Sequence, residues 1–262
     1  YTLQIGGKLQ LNLNAWLIIS GGDNITATVN VGGDFEIAAV NDYDTYFDFY
    51  YYTAGSATLN KVIMNVAGNF TQTGGWFDLA YSNSDATAFN ELRIAGNFQL
   101  NGNGVFITGS NNSSIINGRL IFNGTGIQTF SAANLNNIAK VNFQVNSGST
   151  LQLLSDLQLL SSSTSNWGGQ FTVNSGAVLD AGTQRILSTT GSTAGSNNAF
   201  VLNAGGRINS ANTGGLQTDA SNGTISTAIA TSTFNSGADY EFTGAVTGTF
   251  TTSPTANTVR NL

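Results

Sequence analysis

The chain has no cysteine, no histidine, one proline and few charges, and each scarcity closes off a class of explanation. Without cysteine there is no disulfide framework and no thiolate metal site. Without histidine the usual zinc ligand and the usual general base at neutral pH are missing. Charged residues make up 8% of the 262, with 8 basic and 14 acidic side chains scattered along the sequence. A net charge of −6 with no basic cluster offers nothing to neutralise phosphates, so nucleic acid is not an expected partner. No apolar run approaches the ~20 residues that a membrane-spanning helix needs.

What the chain has in abundance is glycine, 32 residues of it, together with Asn, Ser and Thr. This composition disfavours long helices and favours turns. It is also ordered. Phe171-Thr-Val-Asn-Ser-Gly-Ala-Val-Leu-Asp180 recurs as Phe143-Gln-Val-Asn-Ser-Gly-Ser-Thr-Leu151, as Phe200-Val-Leu-Asn-Ala-Gly-Gly-Arg-Ile208 and, more loosely, as Phe234-Asn-Ser-Gly-Ala-Asp-Tyr240. The first apolar residue of each unit stands at Val145, Val173, Leu202 and Phe234, in steps of 28, 29 and 32. The first half carries a related ladder: Ile5-Gly-Gly-Lys-Leu9, Val31-Gly-Gly-Asp-Phe35, Val66-Ala-Gly-Asn-Phe70, Ile94-Ala-Gly-Asn-Phe98 and Phe122-Asn-Gly124. Like residues at a fixed period mean a solenoid.

Alternation in Leu9-Gln-Leu-Asn-Leu13, Phe98-Gln-Leu100, Phe143-Gln-Val145 and Leu151-Gln-Leu153 is the period of a strand with one buried face. A repeat of roughly 28 residues suits three short strands and three corners, which predicts an all-β, right-handed parallel β-helix of about nine to ten coils. Phe, Val and Leu columns stack inward. Asn-Ser-Gly and Ala-Gly-Asn mark corners, where Gly and Asn accept positive φ. Asn146, Asn174 and Asn203 fall in one column and are candidates for an amide ladder between coils. The ladder runs without a break through residues 1–262, so one continuous solenoid is expected, with any seam at 123–144 where the motif changes. Both ends interrupt a strand pattern, and the chain is expected to be a segment of a longer polypeptide.

The longest step, Val31 to Val66, contains an aromatic and acidic stretch from Asn41 to Tyr52. Insertions in a solenoid emerge as loops on one face, often the binding face. Asp42, Asp44, Tyr46, Asp48, Tyr50 and Tyr52 therefore form a candidate glycan-contacting patch, with rings for the apolar face of a sugar and carboxylates for its hydroxyls. Asp42, Asp44 and Asp48 are also a weak calcium candidate that matches no EF-hand spacing; packing alone is the plain alternative. Trp16, Trp76 and Trp167 lie near strand ends, as packing residues or sugar platforms. No cofactor, metal or catalytic residue is assigned. Asp78, Asp85 and Glu91 lie near Lys61 and Arg93 without sharing a ladder offset among themselves. Asp156, Asp180 and Asp219 read as exposed turn residues, and Arg119, Arg185 and Arg207 as surface charges.

Phe171-Thr-Val-Asn-Ser-Gly-Ala-Val-Leu-Asp-Ala-Gly-Thr183, Ser232-Thr-Phe-Asn-Ser-Gly-Ala-Asp-Tyr-Glu-Phe-Thr-Gly244 and Ala256-Asn-Thr-Val-Arg-Asn-Leu262 resemble the repeats of large secreted β-helix proteins of Bacteroidota, flavobacteria especially. The resemblance is firm from about Asn117 onward and weaker before it. It implies an extracellular or cell-surface location, export by the type IX secretion system and a structural or adhesive role as a stalk or adhesin segment without catalysis. Its implied partners are the remainder of its own polypeptide, surface glycans or secretion-machinery proteins. Two other functions stay open: a carbohydrate-active β-helix that binds, cleaves or hydrolyses polysaccharide, and cargo of an export machinery.

Overall fold

The computed structural model describes residues 1–20, 25–40, 45–50, 61–79, 89–107, 116–162, 167–188, 197–217 and 223–245. Among them every regular element is a β-strand, apart from a single 3-10 turn at Leu135–Asn137. The strands pair in parallel, save one short antiparallel pair, Ser161–Ser162 with Trp167–Gly168. The fold is a parallel β-solenoid. The chain divides into two compact units, one formed by Tyr1–Ile121 with Ala132–Asn142 and the other by Phe122–Ser131 with Phe143–Leu262.

The first unit climbs coil by coil. Its strands are β1 (Thr2–Ile5), β2 (Leu9–Asn12) and β3 (Trp16–Ser20); β4 (Thr26–Val31), β5 (Phe35–Ala38) and β6 (Tyr46–Tyr50); β7 (Lys61–Val66), β8 (Phe70–Gln72) and β9 (Trp76–Asp78); β10 (Asn90–Ile94), β11 (Phe98–Leu100) and β12 (Val105–Ile107); then β13 (Gly118–Phe122). With β14 (Ile127–Ala132) and β15 (Ile138–Ala139) following, three sheets result: β1-β4-β7-β10-β13, β2-β5-β8-β11 and β3-β6-β9-β12-β15. The register follows the sequence columns. Ile5 pairs with Val31, Val31 with Val66 and Val66 with Ile94. In the second sheet Leu9 pairs with Phe35, Phe35 with Phe70 and Phe70 with Phe98.

Burial explains why that register holds. A shift by one residue would turn the apolar set of a strand to its other face. The inward residues Val29, Met64, Leu92, Phe35, Phe70 and Phe98 are wholly buried. Phe47, Phe77 and Phe106 of the third sheet meet them from the other side. Phe35 and Phe47 lie 4.9 Å apart between ring centroids, Phe47 and Phe77 4.9 Å, and Phe77 and Phe106 5.0 Å at 89°. Edge-to-face pairs of this kind contribute about 0.5–1.5 kcal/mol each beyond the area they bury.

The second unit is built from β16 (Val141–Val145), β17 (Thr150–Leu153) and β18 (Leu157–Leu159); the antiparallel pair already given, β19 (Ser161–Ser162) and β20 (Trp167–Gly168); β21 (Gln170–Val173), β22 (Val178–Gly182) and β23 (Ile186–Ser188); β24 (Ala199–Leu202) and β25 (Arg207–Ser210); and β26 (Thr231–Phe234) and β27 (Asp239–Phe242). Sheet orders are β16-β21-β24-β26, β14-β17-β22-β25-β27 and β18-β23. Phe143 pairs with Phe171 and Phe171 with Phe200, while Leu151, Leu179, Ile208 and Tyr240 form a second continuous column. The rings of Phe143, Phe171 and Phe200 stack in file at 6.0 Å and 21°. Phe122 lies one step below Val145, because the Asn146 N–H donates to its carbonyl at 2.9 Å.

Corner chemistry matches expectation in one ladder and corrects it in the other. Gly148, Gly176 and Gly205 adopt φ of 84°, 75° and 75°, the left-handed conformation expected at Asn-x-Gly. In Ala-Gly-Asn and Val-Gly-Gly the glycines carry no positive φ, and a different constraint selects them. A Cβ on Gly68 would stand 2.8 Å from the carbonyl carbon of Gly33, and one on Gly96 2.5 Å from the carbonyl oxygen of Gly68.

The amide column forms as the sequence suggested. Asn174 Nδ2 donates to Asn146 Oδ1 at 3.1 Å, and Asn203 Nδ2 donates to Asn174 Oδ1 at 3.2 Å. The first unit has a counterpart that its sequence did not reveal. Asp34 Oδ1 accepts the Asn69 N–H at 2.7 Å, and Asn69 Oδ1 accepts the Asn97 N–H at 2.9 Å, so each corner side chain caps the next coil's backbone.

Candidate functional site

Of the six patch candidates, Asp42, Asp44 and Tyr52 lie outside the described residues. Tyr46 and Asp48 belong to β6, which ends at Tyr50. Strand alternation sends Phe47 and Phe49 inward, both fully buried, and turns Tyr46 and Asp48 to the outer side of the third sheet. There the register assembles a row that crosses coils: Trp16 beside Tyr46, and Tyr46 beside Trp76. The Trp16 and Tyr46 rings are 5.8 Å apart and tilted by 48°. Trp16 is 58% exposed, and Tyr46 and Trp76 are half-buried.

Two positions along, a second row holds Ile18, Asp48 and Asp78 in register. Trp16 Nε1 donates to Asp48 Oδ2 at 2.9 Å, which fixes the exposed indole to the neighbouring coil. Burial pushes the Asp48 carboxyl up to about 6, with the Trp16 hydrogen bond acting in the opposite direction. Asp78 is fully buried. Ile107 pairs with Asp78 on one side and Ala139 on the other, which places Lys140 two strands from Asp78. Lys140 is buried and takes φ 54°. Burial pulls its ammonium down to about 8, against the attraction of Asp78.

Asp78 therefore has an acidic partner in the next coil, Asp48, that sequence reading overlooked. The signal was present: Trp16-Leu-Ile18, Tyr46-Phe-Asp48, Trp76-Phe-Asp78 and Val105-Phe-Ile107 repeat at nearly constant spacing. Chemically, the arrangement places aromatic rings on the outer side of the sheet and keeps the Asp48 and Asp78 carboxyls buried. Asp48 acts as a clamp on an aromatic ring, and Asp78 and Lys140 as opposite charges held in the same buried layer.

Some of the other charged residues link neighbouring coils. On the first sheet, Glu91 accepts from Arg93 Nε at 2.8 Å and lies 3.7 Å from an Arg119 nitrogen. The Arg119 guanidinium sits 3.4 Å from the centroid of the Phe89 ring, a cation–π contact. Arg207 pairs with Glu241, Asp156 Oδ1 accepts the Arg185 backbone N–H at 2.8 Å, and Arg185 Nε donates to the Gly223 carbonyl at 2.8 Å. Arg119, Arg185 and Arg207, read as surface charges, are each half-buried and partnered. Asp180 sits in strand β22 rather than a turn, facing Gln152 of the preceding coil. Asp85 and Asp219 lie outside the described residues. Trp76 and Trp167 begin strands, as Trp16 does. Among the described residues no three His, Cys, Asp or Glu side chains gather as a metal site, and no helix is long and apolar enough to cross a membrane. Comparison with family models, with curated proteins and with solved structures gives no match for this chain.

Proposed function

We propose that this chain is a structural and adhesive segment of an extracellular protein, a stiff spacer of the kind its repeats resemble in Bacteroidota. The observation that carries the reading is the continuity of the inward columns, such as Leu151, Leu179, Ile208 and Tyr240, each in register with the next. Stability of this kind depends on neighbour-to-neighbour stacking and needs no ligand. We infer right-handed coils, nine to ten in number, from the strong preference of parallel crossovers for that hand and from nine rungs in the sequence. Secretion through the type IX route and display at the cell surface complete the proposal. Labelling unpermeabilised cells with an antibody to this chain tests its location, and pulling it between two handles tests its role. Stepwise loss of coils at high force is expected of a spacer; collapse in one event at low force would refute it.

The adhesive part of the proposal rests on the outer row of the third sheet. Trp16, Tyr46 and Trp76 stand one coil apart, about 4.8 Å, so a polysaccharide lying across the coils would find a ring at successive steps. Aromatic faces suit the apolar faces of sugars. On a glycan array, Trp16→Ala and Tyr46→Ala should each weaken binding at least tenfold relative to the parent. Equal binding by all three would remove glycans from the proposal.

A carbohydrate-active enzyme is the second reading, favoured by the Asp48–Asp78 pair on adjacent strands. Paired carboxylates are the usual equipment of glycoside hydrolysis. Both are buried beneath the aromatic row, which leaves them poorly placed to meet a sugar. Release of reducing ends by the parent, abolished in Asp48→Asn and Asp78→Asn, would establish this reading over the first.

A further inference from the structure

We infer that the outer row of the third sheet, Trp16, Tyr46 and Trp76, binds a neutral polysaccharide of extended, equatorially linked hexoses, laid along the stacking direction of the coils with one hexose to each ring. This deepens the adhesive reading and rests on it: the row is the same, and what is added is the direction, length and charge of the ligand.

Direction and length come from the register. Trp16 pairs with Tyr46 and Tyr46 with Trp76, each at a step of 30 residues, so the three rings occupy one column of the sheet. Neighbouring strands lie ~4.8 Å apart, which is close to the length of one hexose in an extended chain. Along any single strand the pattern is different. Two positions from the rings stand Ile18, Asp48 and Asp78, and both carboxyls are buried. A sugar chain that followed a strand would leave the aromatic surface after its first unit, whereas one that crosses the strands meets a ring at every unit. The column changes character at Val105, the partner of Trp76 in β12, so the chain offers three rings in succession.

Charge comes from what shares the face. Lys61, Arg93 and Arg119 belong to strands of the first sheet, and Lys8 stands at the corner between β1 and β2. Lys140, which follows the last strand of the third sheet, is buried. Among the described residues of this unit, then, no exposed cation stands on the third sheet to pair with a uronate or a sulfate, the contact by which acidic polysaccharides are held. The acids of the face act in the opposite sense. Asp48 and Asp78 are buried in neighbouring coils, and a polyanion laid over the row would add charge of the same sign. The burial that pushes Asp48 up to about 6 shows how poorly this layer holds even its own negative charge. The Trp16 indole N–H, the one donor of that ring, is engaged by Asp48 at 2.9 Å, which leaves apolar ring surface for a ligand. A neutral sugar with an apolar face meets none of these obstacles.

The test titrates the chain, by isothermal calorimetry, with β-1,4-linked glucose oligosaccharides of two to six units and with the matching glucuronates, which differ only in a carboxylate at C6. The neutral series should gain about three- to tenfold in affinity between two units and three, and little beyond, because a third ring is met and then no more. Its affinity should hold when salt is raised from about 0.05 to about 0.5 M. Trp76→Ala should abolish the gain on the third unit, and Trp76→Phe, which keeps a ring, should retain it; thermal melting of both against the parent separates a folding defect from a binding one. Tighter binding of the glucuronates, or affinity that falls steeply with salt, would overturn this inference and leave the glycan reading standing. So would a neutral series whose affinity keeps climbing evenly past three units. Binding of neither series would also overturn it, and the adhesive reading would fall with it only if the glycan array were blank as well.

Discussion

The two units turn the same kind of corner by different chemistry. In the second, Gly176 and Gly205 are required by their own backbone, at φ 75°, and the turn is reinforced by the Asn146–Asn174–Asn203 amide ladder. In the first, Gly68 and Gly96 are required by their neighbours, and the turn is reinforced by Asp34 and Asn69 capping the next coil's N–H groups. The interiors differ in the same sense. Phe77 touches Phe35, Phe47, Phe49, Phe70 and Phe106 in a crossed cluster, whereas Phe171 touches only the rings above and below it among the described aromatic contacts. A glycine at a repeat position therefore does not identify its own reason for being there: at Gly176 it is the local φ, and at Gly96 it is the backbone of the neighbouring coil.

The largest expected effect comes from charging a core column. Phe171→Asp places a carboxylate between Phe143 and Phe200 in a fully buried site, which should cost more than ~4 kcal/mol and unfold neighbouring coils. Chemical denaturation followed by the circular dichroism of the strands checks it. A variant that melts like the parent would mean that this column does not face inward.

The contrast between corners is sharpened by one substitution made twice. Gly96→Ala drives a methyl against the Gly68 carbonyl, backbone that has no rotamer with which to retreat, and should cost about 3 kcal/mol. Gly176→Ala meets Ser147 Oγ, which rotates aside, and so suffers mainly the left-handed backbone penalty of about 1–2 kcal/mol. Asparagine should separate them further. Gly176→Asn is expected to be milder than Gly176→Ala, since Asn tolerates positive φ, while Gly96→Asn is worse than Gly96→Ala. The same order at both sites would show that one mechanism governs both corners.

Next in size is the amide ladder. Asn174 donates to Asn146 and accepts from Asn203, so Asn174→Ala removes both links in a partly buried position, for about 1 kcal/mol. Asn174→Asp keeps an acceptor and loses the donor, and should restore only the Asn203 half of the ladder. Equal stability of parent and Asn174→Ala by thermal melting would reduce the ladder to a tolerated turn residue.

Much of this architecture was legible because a parallel solenoid repeats its contacts at the interval of the sequence period. Val31, Val66 and Ile94 could be aligned by eye, and so could Phe143, Phe171 and Phe200, because each occupies one column of one sheet. The Trp16–Tyr46–Trp76 row keeps a step of 30 residues but was harder to see, since its members were read separately as a loop patch and as strand ends. The Glu91–Arg119 pair is one coil apart and so was available in principle, but sparse charges seldom suggest a partner. What no local pattern could reveal is burial on the outer side of a sheet. Asp48 alternates as a surface residue should and is nonetheless covered.

That covered carboxyl yields the smallest effect and the most specific. Because burial raises Asp48 to about 6, the folded chain holds its proton more tightly than the unfolded chain does. Stability from this group is therefore full below the ordinary carboxylate range and declines as pH rises from about 4 through about 6. Asp48→Asn keeps an oxygen for the Trp16 indole and removes the titration, so the parent's Tm should fall across that window relative to the variant's. The opposite slope would mean that Asp48 is held as an anion, by Trp16 and whatever else reaches it. In the second unit burial raises the Tyr240 phenol to about 12, far above this window.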